Sequence, residues 1–446
     1  MGSGMMPRVL TVAGSDSGGG AGIQADLKTI ALLGGFGMSA ITALTAQNTQ
    51  GVIGIQEVPA EFVALQMEAV LGDIGIDAMK TGMMCNAEII QSVCRKIRQY
   101  AISRIVVDPV MVSKHGTRLL SPEAEIVLQR QLLPLAEVCT PNLPECEVLT
   151  GKKIKTLQAM RAAAKEIHKR GARNVLVKGG HLPGPPIDIF FDGRKFFSLE
   201  GKRIATPHSH GTGCTLSAAI ALELARGHSP RVAVQRAKSF IELAIRSSLP
   251  LGHGQGPVNP YAPAFRDAER YRVIEALKRA FQNLQRRSIG PLCPEVQSNL
   301  GYALPDARTM EDVAAFPGRF VRIGDEILKA ADPQFGASRH IARIILTAML
   351  HDPHMRSAMN LRFSQEILSR ARKEGFRIGH FDRKDEPLRV KRKEGASLSW
   401  GVNQVLSKSK KFPDLIFDRG GLGKEPMIRL LGRDPEAVTA KALRLL

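Results

Sequence analysis

The residues best suited to chemistry lie in His208-Ser-His-Gly-Thr-Gly-Cys-Thr-Leu-Ser-Ala-Ala-Ile220. Polar and glycine residues open this stretch, and an apolar helical run from Leu216 to Ala225 follows. A glycine turn running into a helix leaves several backbone N–H groups without intrahelical partners, all directed at one place. The aligned peptide dipoles add partial positive charge there, so Gly211, Thr212 and Gly213 form a ready seat for an anion. Cys214 stands at the start of the same helix, where a thiolate is favoured. A reactive group beside an anion seat suits phosphoryl transfer. A Gly-x-Gly alone is equally the mark of a plain turn before a buried helix, so both readings stand at this point.

Such a turn needs strand–helix units to hold it, and the chain supplies them. Arg8–Gly14 reads as a buried strand, Ser15-Asp-Ser-Gly-Gly-Gly-Ala-Gly22 as a loop, and Ile23–Leu33 as an amphipathic helix with Asp26 in its first turn. No Gly-Lys-Ser/Thr follows, so the loop is not a Walker A motif. It is either a phosphate loop of another kind or a surface turn. Strands are expected at Met38–Thr49, Ala78–Met83, Arg104–Val110, Val138–Asn142 and Asn174–Gly180, with a hairpin at Ile187–Asp192 and Lys195–Leu199. Helices are expected at Ala60–Leu71, Asn86–Tyr100 and Thr156–Arg170, and one opens near Leu143. Alternating units of this kind predict an α/β fold whose mainly parallel sheet is covered by helices on both faces. Ligands bind at the carboxyl ends of such strands. Asp108, Asn142, Lys178 and the 211–214 turn all fall at those ends or just beyond them.

The length of 446 residues exceeds what one core usually serves, so two domains are expected. Residues 1–6 read as an appended start, residues 7–260 as the first domain, 261–289 as a linker helix and 290–446 as a second domain. The net charge of +20 raises the possibility of nucleic acid. The excess is spread over both parts, since 34 of the 62 Lys+Arg and 22 of the 42 Asp+Glu lie beyond residue 260. Only Arg389-Val-Lys-Arg-Lys393 and Lys408-Ser-Lys-Lys411 are dense basic tracts, and one Trp and four Tyr are few for stacking bases. Anionic small molecules account for the charge at least as well, so small-molecule substrates are expected and nucleic acid is not. The six cysteines form no C-x-x-C pair, which argues against a zinc site or a redox dithiol. The apolar runs are too short and too broken to span a bilayer, and no secretory segment follows Met5, so a cytoplasmic protein without membrane contact is expected.

Six motifs then occur in order: Ala13-Gly-Ser-Asp-Ser-Gly-Gly-Gly-Ala-Gly-Ile-Gln-Ala-Asp-Leu-Lys28, Thr42-Ala-Leu-Thr-Ala-Gln-Asn-Thr49, Asp108-Pro-Val-Met111, Thr140-Pro-Asn-Leu-Pro-Glu145, Val177-Lys-Gly-Gly-His181 and His210-Gly-Thr-Gly-Cys-Thr-Leu-Ser217. Together they resemble the hydroxymethylpyrimidine/phosphomethylpyrimidine kinases of thiamine biosynthesis, a branch of the ribokinase-like fold. The resemblance covers about residues 7–260. It implies ATP and Mg²⁺, and two successive phosphorylations of an aminopyrimidine alcohol to its diphosphate. It places the pyrimidine near Gly14, Asp26, Gln47, Met83 and Val110, the ATP phosphates near Lys178 and Asn142, and Mg²⁺ on Asp108 and Glu145. Glu145 also suits a plain helix-start acid, Lys178 a solvated lysine and Met83 a core filler. Related sugar kinases carry Asp where this chain has Cys214, which implies that Cys214 is the general base. A helix N-terminus is expected to lower the thiol toward neutrality for that task.

The second domain carries Pro294-Glu-Val-Gln-Ser-Asn-Leu-Gly301, Pro317-Gly-Arg-Phe-Val-Arg-Ile-Gly-Asp325, Phe335-Gly-Ala-Ser-Arg-His340, Ser357-Ala-Met-Asn-Leu-Arg-Phe-Ser364 and Asp418-Arg-Gly-Gly-Leu-Gly-Lys-Glu-Pro426. These patches resemble the archaeal-type thiamine phosphate synthase domain found fused to such kinases. The resemblance implies an α/β/α fold similar to class II aldolase-like domains. It also implies coupling of the pyrimidine diphosphate with thiazole phosphate, releasing pyrophosphate. Arg319 and His340 are the expected catalytic residues, His340 with a pKa near neutrality. Arg339, Asn360, Arg362, Arg419 and Lys424 are the expected phosphate ligands, since guanidinium and ammonium groups match phosphate oxygens. A homo-oligomer, a dimer, is expected. The competing readings are a kinase joined to a ligand-sensing regulatory domain, and a vitamin B6 kinase.

Overall fold

Helices that return the chain to the same end of a sheet force its strands to run parallel, and the first part of the chain obeys this. The computed structural model describes residues 6–111, 120–387, 396–421 and 423–446, so the basic tract Arg389–Lys393 lies outside the described residues. The chain forms two compact units, Met1–Ala264 and Phe265–Leu446.

In the first unit the order is β1 (Arg8–Ala13), α1 (Gly22–Leu32), β2 (Phe36–Ile41), β3 (Ala43–Gln47), β4 (Val52–Glu57), α2 (Ala60–Asp73), β5 (Ala78–Thr81), α3 (Ala87–Gln99), β6 (Ile105–Val107) and α4 (Pro122–Val127). Then come β7 (Val138–Cys139), α5 (Leu143–Thr150), α6 (Leu157–Lys169), β8 (Asn174–Val177), β9 (Ile187–Phe191), β10 (Phe196–Glu200), α7 (Thr212–Ala225) and α8 (Pro230–Arg246). Eight strands form one sheet in the order β10-β9-β8-β7-β6-β5-β1-β2. The six from β8 to β2 are parallel, and the hairpin β9–β10 closes the edge antiparallel. Side chains alternate across the sheet, so Leu10, Val12 and Val107 enter one core with α2 and α3 while Val9 and Val106 enter the other with α7 and α8. Helix α7 is buried without a break from Thr215 to Leu224, which is why its sequence is apolar all round.

One expected strand is in fact two. Met38–Thr49 bends at Thr42, whose hydroxyl donates to the Met83 carbonyl at 2.6 Å and whose N–H donates to the Ala13 carbonyl at 3.1 Å. The chain leaves the main sheet there, and β3 pairs with β4 as a separate two-stranded ribbon. Leu44, Ile53 and Ile55 are exposed on the ribbon, while Thr45 and Gln47 turn toward the interior.

The second unit runs α9 (Ala262–Gln285), β11 (Leu300–Ala303), β12 (Val313–Ala315), β13 (Phe320–Ile323), β14 (Glu326–Lys329), β15 (Gln334–Phe335), α10 (Arg339–Met349), β16 (Ser357–Arg362) and α11 (Gln365–Lys373). It ends with β17 (Ile378–His380), α12 (Ala396–Lys408), β18 (Leu415–Asp418), β19 (Met427–Gly432) and α13 (Pro435–Leu443). Its seven-stranded sheet has the order β15-β12-β11-β16-β19-β18-β17 and is antiparallel except between β17 and β18. Residues of α9, α11 and α13 pack on one face and those of α10 and α12 on the other, giving three α/β/α layers.

The expected linker helix is not a linker. Val273, Leu277, Ala280, Phe281 and Leu284 of α9 are buried in the core of the second unit. Phe281 packs at 5.3 Å from Phe316 and 5.0 Å from Phe320, ring centre to ring centre. Such a buried aromatic contributes about 3–5 kcal/mol against alanine. The protein has a single Trp, Trp400 of α12, so its fluorescence reports on the second unit alone. Phe281→Ala is expected to shift the denaturant midpoint of that fluorescence downward by a corresponding amount. An unchanged midpoint would return α9 to the role of a spacer.

Candidate active site

Strand β1 ends at Ala13, and beyond Gly14 the chain wraps around its own aspartate. Asp16 accepts the N–H groups of Gly18 at 2.8 Å, Gly20 at 3.0 Å and Ala21 at 2.8 Å. These amides are therefore satisfied within the loop, which corrects its reading as a phosphate loop. The loop is tied to β3 by Ser17, whose hydroxyl donates to the Gln47 carbonyl and accepts the Gln47 N–H, both at 2.8 Å. His210 Nε2 lies 3.0 Å from Asp16 Oδ2 and 3.2 Å from Gln47 Nε2. A three-way contact thus sets the Gln47 amide at the wall of a cavity.

That cavity, of about 180 Å³, opens at the carboxyl ends of the parallel strands. Gly14, Gln47, Met83, Val110, Asn142, Glu145, Asp108, Lys178, Gly211, Thr212, Gly213 and Cys214 all line it. The structure therefore gathers every expected first-unit residue except Asp26. Gly211 begins α7 at φ +76°, and a Cβ there would stand 1.8 Å from the Gly20 carbonyl oxygen, so only glycine fits. No side chain caps α7, so its first amides lack a side-chain partner, as an anion seat requires. A Cβ on Gly213 would lie 3.4 Å from Lys178 Nζ and 3.5 Å from Asp108 Oδ2. The seat, the lysine and the carboxylate therefore converge.

Two lysine–aspartate pairs frame Cys214, one fully buried and one at the cavity wall. Lys178 Nζ donates to Asp108 Oδ1 at 3.0 Å, and Thr140 donates to the same oxygen at 3.0 Å. Burial pushes the Asp108 carboxyl up, but Lys178 and Lys80 outweigh it and hold Asp108 below its ordinary range. Lys80 Nζ donates to Asp26 Oδ2 at 2.9 Å, and both side chains are 0% exposed. Burial is the largest single influence and opposes the charge on Lys80, yet Asp26 and the other acidic groups around it together outweigh it and raise the lysine. Asp26 is thus corrected twice. It lies in the second turn of α1, and it faces Lys80 and Thr11 rather than the cavity. Lys80 lines the cavity, and the sequence reading missed it. Its signal was a lysine inside the strand Ala78-Met-Lys-Thr81, where only a paired cation is tolerated.

Burial pushes the Cys214 thiol up to about 11, with Lys80 pulling the other way. The expected lowering does not occur, because desolvation and the nearby Asp26 and Asp108 charges exceed what the first turn of a helix supplies. Asn142 and Glu145 form a reciprocal cap on α5: Asn142 Oδ1 accepts the Glu145 N–H at 2.9 Å, and Glu145 Oε2 accepts the Asn142 N–H at 2.7 Å. The helix-start reading of Glu145 therefore holds alongside its place in the cavity. Burial pushes Glu145 up to about 7, with Lys178 opposing and Asp108 reinforcing. Among the described residues no group of three or more His, Cys, Asp or Glu side chains is placed to hold a metal ion. Mg²⁺ often takes only one or two carboxylates and fills its shell with water and phosphate oxygens. Asp108 and Glu145 fit an ion that arrives with a nucleotide.

In the second unit, Arg319, His340, Asn360, Lys424 and, across an adjoining compartment, Arg339 line one polar cavity. Arg319 adopts φ +68° and follows Gly318 at φ +71°, a strained turn costing about 1–3 kcal/mol that aims the guanidinium at the Val296 carbonyl. Burial pushes His340 down to about 4, helped by Arg429, Arg319, Arg383 and Arg343. His340 is neutral at physiological pH, which corrects its expected pKa near neutrality. The Asn360 amide is used to hold the chain, accepting the Asn299 N–H at 2.8 Å and donating to the Gln297 carbonyl at 2.9 Å. Arg362 and Arg419 are exposed and line neither compartment, so the structure does not bring them together with the other expected phosphate ligands. Lines of sequence near a motif do not fix direction: Asp418, the neighbour of Arg419, points inward and is buried. Arg383 and Arg429 also line the cavity and were not anticipated.

Residues 16–259 match the family model of phosphomethylpyrimidine kinase, and residues 276–444 that of thiamine-phosphate synthase ThiN. The chain is 55% identical over 252 residues to the thiamine biosynthesis bifunctional protein ThiED of Geobacter sulfurreducens, a match covering 56% of this chain and 51% of that protein. The chain thus spans about half the length of that relative. It is 47% identical over 257 residues to the hydroxymethylpyrimidine/phosphomethylpyrimidine kinase of Bacillus subtilis, covering 57% of this chain and 95% of that one. Among solved structures, an ADP complex of Bacillus subtilis pyridoxal kinase superposes with a TM-score of 0.55 at 39% identity, covering 58% of this chain and 100% of that one. The Staphylococcus aureus pyridoxal kinase in complex with AMP-PCP and pyridoxal gives 0.55 at 37% identity, covering 58% and 95%.

Two outcomes test the electrostatics of the first cavity. Asp26→Asn strands the buried Lys80 ammonium and is expected to cost about 3–5 kcal/mol of stability, whereas Asp26→Leu with Lys80→Met restores much of it. Calorimetry of the full chain reads both, and a double variant no more stable than the single one would show the pair to be irreplaceable. Glu145 has a folded pKa above its ordinary value, so its favourable contribution is present at low pH and fades as pH rises toward 7. The stability of Glu145→Gln relative to the parent should therefore improve between pH 5 and pH 8. A difference independent of pH would contradict the raised carboxyl.

Proposed function

The chain belongs to the phosphomethylpyrimidine kinase family, and we propose that it is a bifunctional enzyme of thiamine biosynthesis. Its first unit phosphorylates 4-amino-5-hydroxymethyl-2-methylpyrimidine with ATP to the monophosphate and then to the diphosphate. Its second unit couples the diphosphate with thiazole phosphate to give thiamine phosphate and pyrophosphate. The observation that carries the first reading is the meeting of the Gly211–Gly213 amides, Lys178, Asp108 and Cys214 in one cavity.

Phosphoryl transfer needs positioning and charge neutralisation more than covalent chemistry. The amides that open α7 receive the phosphoryl oxygens as they pass from donor to acceptor. Lys178, at the cavity wall and charged, meets the nucleotide phosphates. Bound with ATP, Mg²⁺ would rest on Asp108 and Glu145, directly or through water, and neutralise phosphate charge. Gln47, set by His210 and Thr45, offers a donor and an acceptor to the aminopyrimidine edge. Gly14 leaves room for the ring, since a Cβ there would strike the Met83 side chain at 2.5 Å, and Met83 and Val110 flank it. Cys214 takes the hydroxyl proton of the first acceptor. Only that step needs a base, because the second acceptor is already a phosphate anion. Burial holds that thiol near 11, so Cys214 must first release its own proton to solvent water, and the resulting thiolate then takes the hydroxyl proton.

A pyridoxal kinase is the second reading, favoured by the two pyridoxal kinases on which the first unit superposes. The higher identity to the pyrimidine kinase relatives weighs the other way. The deciding experiment supplies the protein with the pyrimidine alcohol, ATP, Mg²⁺ and thiazole phosphate and follows thiamine phosphate. Cys214→Ala should slow the alcohol step by about 10²–10⁴ and the monophosphate step far less. Arg319→Ala and His340→Ala should abolish coupling and leave both kinase steps intact. Diphosphate accumulating without thiamine phosphate in the parent protein would instead favour a sensing role for the second unit.

A further inference from the structure

The cavity of the second unit divides at Arg319 and His340. One compartment, of about 290 Å³, passes Asn360, Arg383, Ser397, Lys424 and Arg429. The other, of about 430 Å³, passes Gly318, Arg339 and Arg343 at the start of α10. The two differ in how far their arginines are buried.

Asp418, at the first compartment, is clasped by two guanidinium groups. Arg383 donates to it through Nε at 2.6 Å and Nη2 at 3.2 Å, and Arg429 through Nη2 at 2.6 Å. The side chains of Asp418 and Arg429 are 0% and 1% exposed. One carboxylate against two cations leaves a positive charge uncompensated at the wall of the cavity, where Arg429 is buried and Arg383 is 14% exposed, and an anion would complete it. Nε of Arg429 and Nε2 of His340 are buried and have no acceptor or donor partner among the described residues. Glu425 also lines this compartment, but its carboxylate is taken by the N–H groups of Glu295 at 2.9 Å and Val296 at 3.1 Å. The guanidinium groups of Arg383 and Arg429 lie 5.8 and 5.5 Å from the ring centre of Phe381. That ring is in edge contact with Trp400 at 6.1 Å. In the second compartment, by contrast, Arg339 is exposed to solvent.

We propose that the first compartment is the diphosphate seat of the coupling reaction, with Arg383 and Arg429 holding the departing pyrophosphate, and that the compartment at the start of α10 takes the phosphate of the acceptor. This rests on the coupling reaction proposed above. The bond from the pyrimidine methylene to the diphosphate oxygen breaks, and that oxygen keeps the electron pair. The thiazole nitrogen contributes its lone pair to a new C–N bond, and its ring becomes cationic. No proton changes hands, so a neutral His340 suffices as a hydrogen-bonding partner. Charge develops on the leaving oxygens, and cations already fixed in place stabilise it most. The compartment lined by the buried Arg429 therefore suits the leaving group, and the one lined by the exposed Arg339 suits the acceptor.

The test titrates the full-length protein with inorganic pyrophosphate while following Trp400 fluorescence, with coupling kinetics measured in parallel. Pyrophosphate is expected to bind and to compete with the pyrimidine diphosphate. Arg383→Gln should weaken its binding by at least about ten-fold, the scale of charge-assisted hydrogen bonds. Arg429→Lys, which keeps the charge and loses the fork, should weaken it as well. Arg339→Gln should leave pyrophosphate binding within about two-fold and raise KM for thiazole phosphate. Parent-like pyrophosphate binding in Arg383→Gln, or its loss in Arg339→Gln instead, overturns the assignment. Pyrophosphate bound through Arg383 in a protein that forms no thiamine phosphate would keep the seat and overturn the reaction.

Discussion

A cation buried in an apolar sheet survives only beside a carboxylate, and the first unit is arranged around two such pairs. Lys80 with Asp26 and Lys178 with Asp108 bring positive charge to the carboxyl ends of β5 and β8, where backbone amides of α7 already point. Removing Asp26 would leave an uncompensated charge where water does not reach, and removing Asp108 would leave one at the cavity wall, where Lys178 is 16% exposed. The pairs also fix the chemistry. They keep Asp108 ionised, and together with burial they set the high pKa of Cys214.

The second unit solves the same problem with a different count. Asp418 faces two arginines, so the balance is one charge short and the cavity is poised for an anion. His340, repelled by the same arginines and desolvated, stays neutral. In the first unit the carboxylates match the lysines one to one, and the uncapped amides of α7 add positive character beside nearly neutral pairs. In the second the excess cation itself is the attractive element.

Periodicity and motif order made most of the fold legible. The strand ends at Asp108, Asn142 and Lys178 and the turn at 211–214 were readable because glycine turns and buried strands have strong local signatures, and the structure does gather them in one cavity. What misled was local inference about charge. Asp26 looked like a first-turn acid and a ligand for the ring, yet it is a buried counter-ion. The 14–22 loop looked like a phosphate cradle, yet Asp16 fills it. Arg362 and Arg419 lie in the right motifs and face outward, while Arg383, outside every motif singled out, reaches the site.

The amino-acid sequence by itself determined the α/β class, the two units, the family and the position of the anion seat, because these depend on local propensity and on residues close together in the chain. Tertiary structure alone decided which charges neutralise one another, since Lys80 meets Asp26 across 54 positions and Lys178 meets Asp108 across 70. It also decided the protonation of Cys214, Glu145 and His340. Burial and distant charges dominate those values, and neither is written in the neighbouring letters.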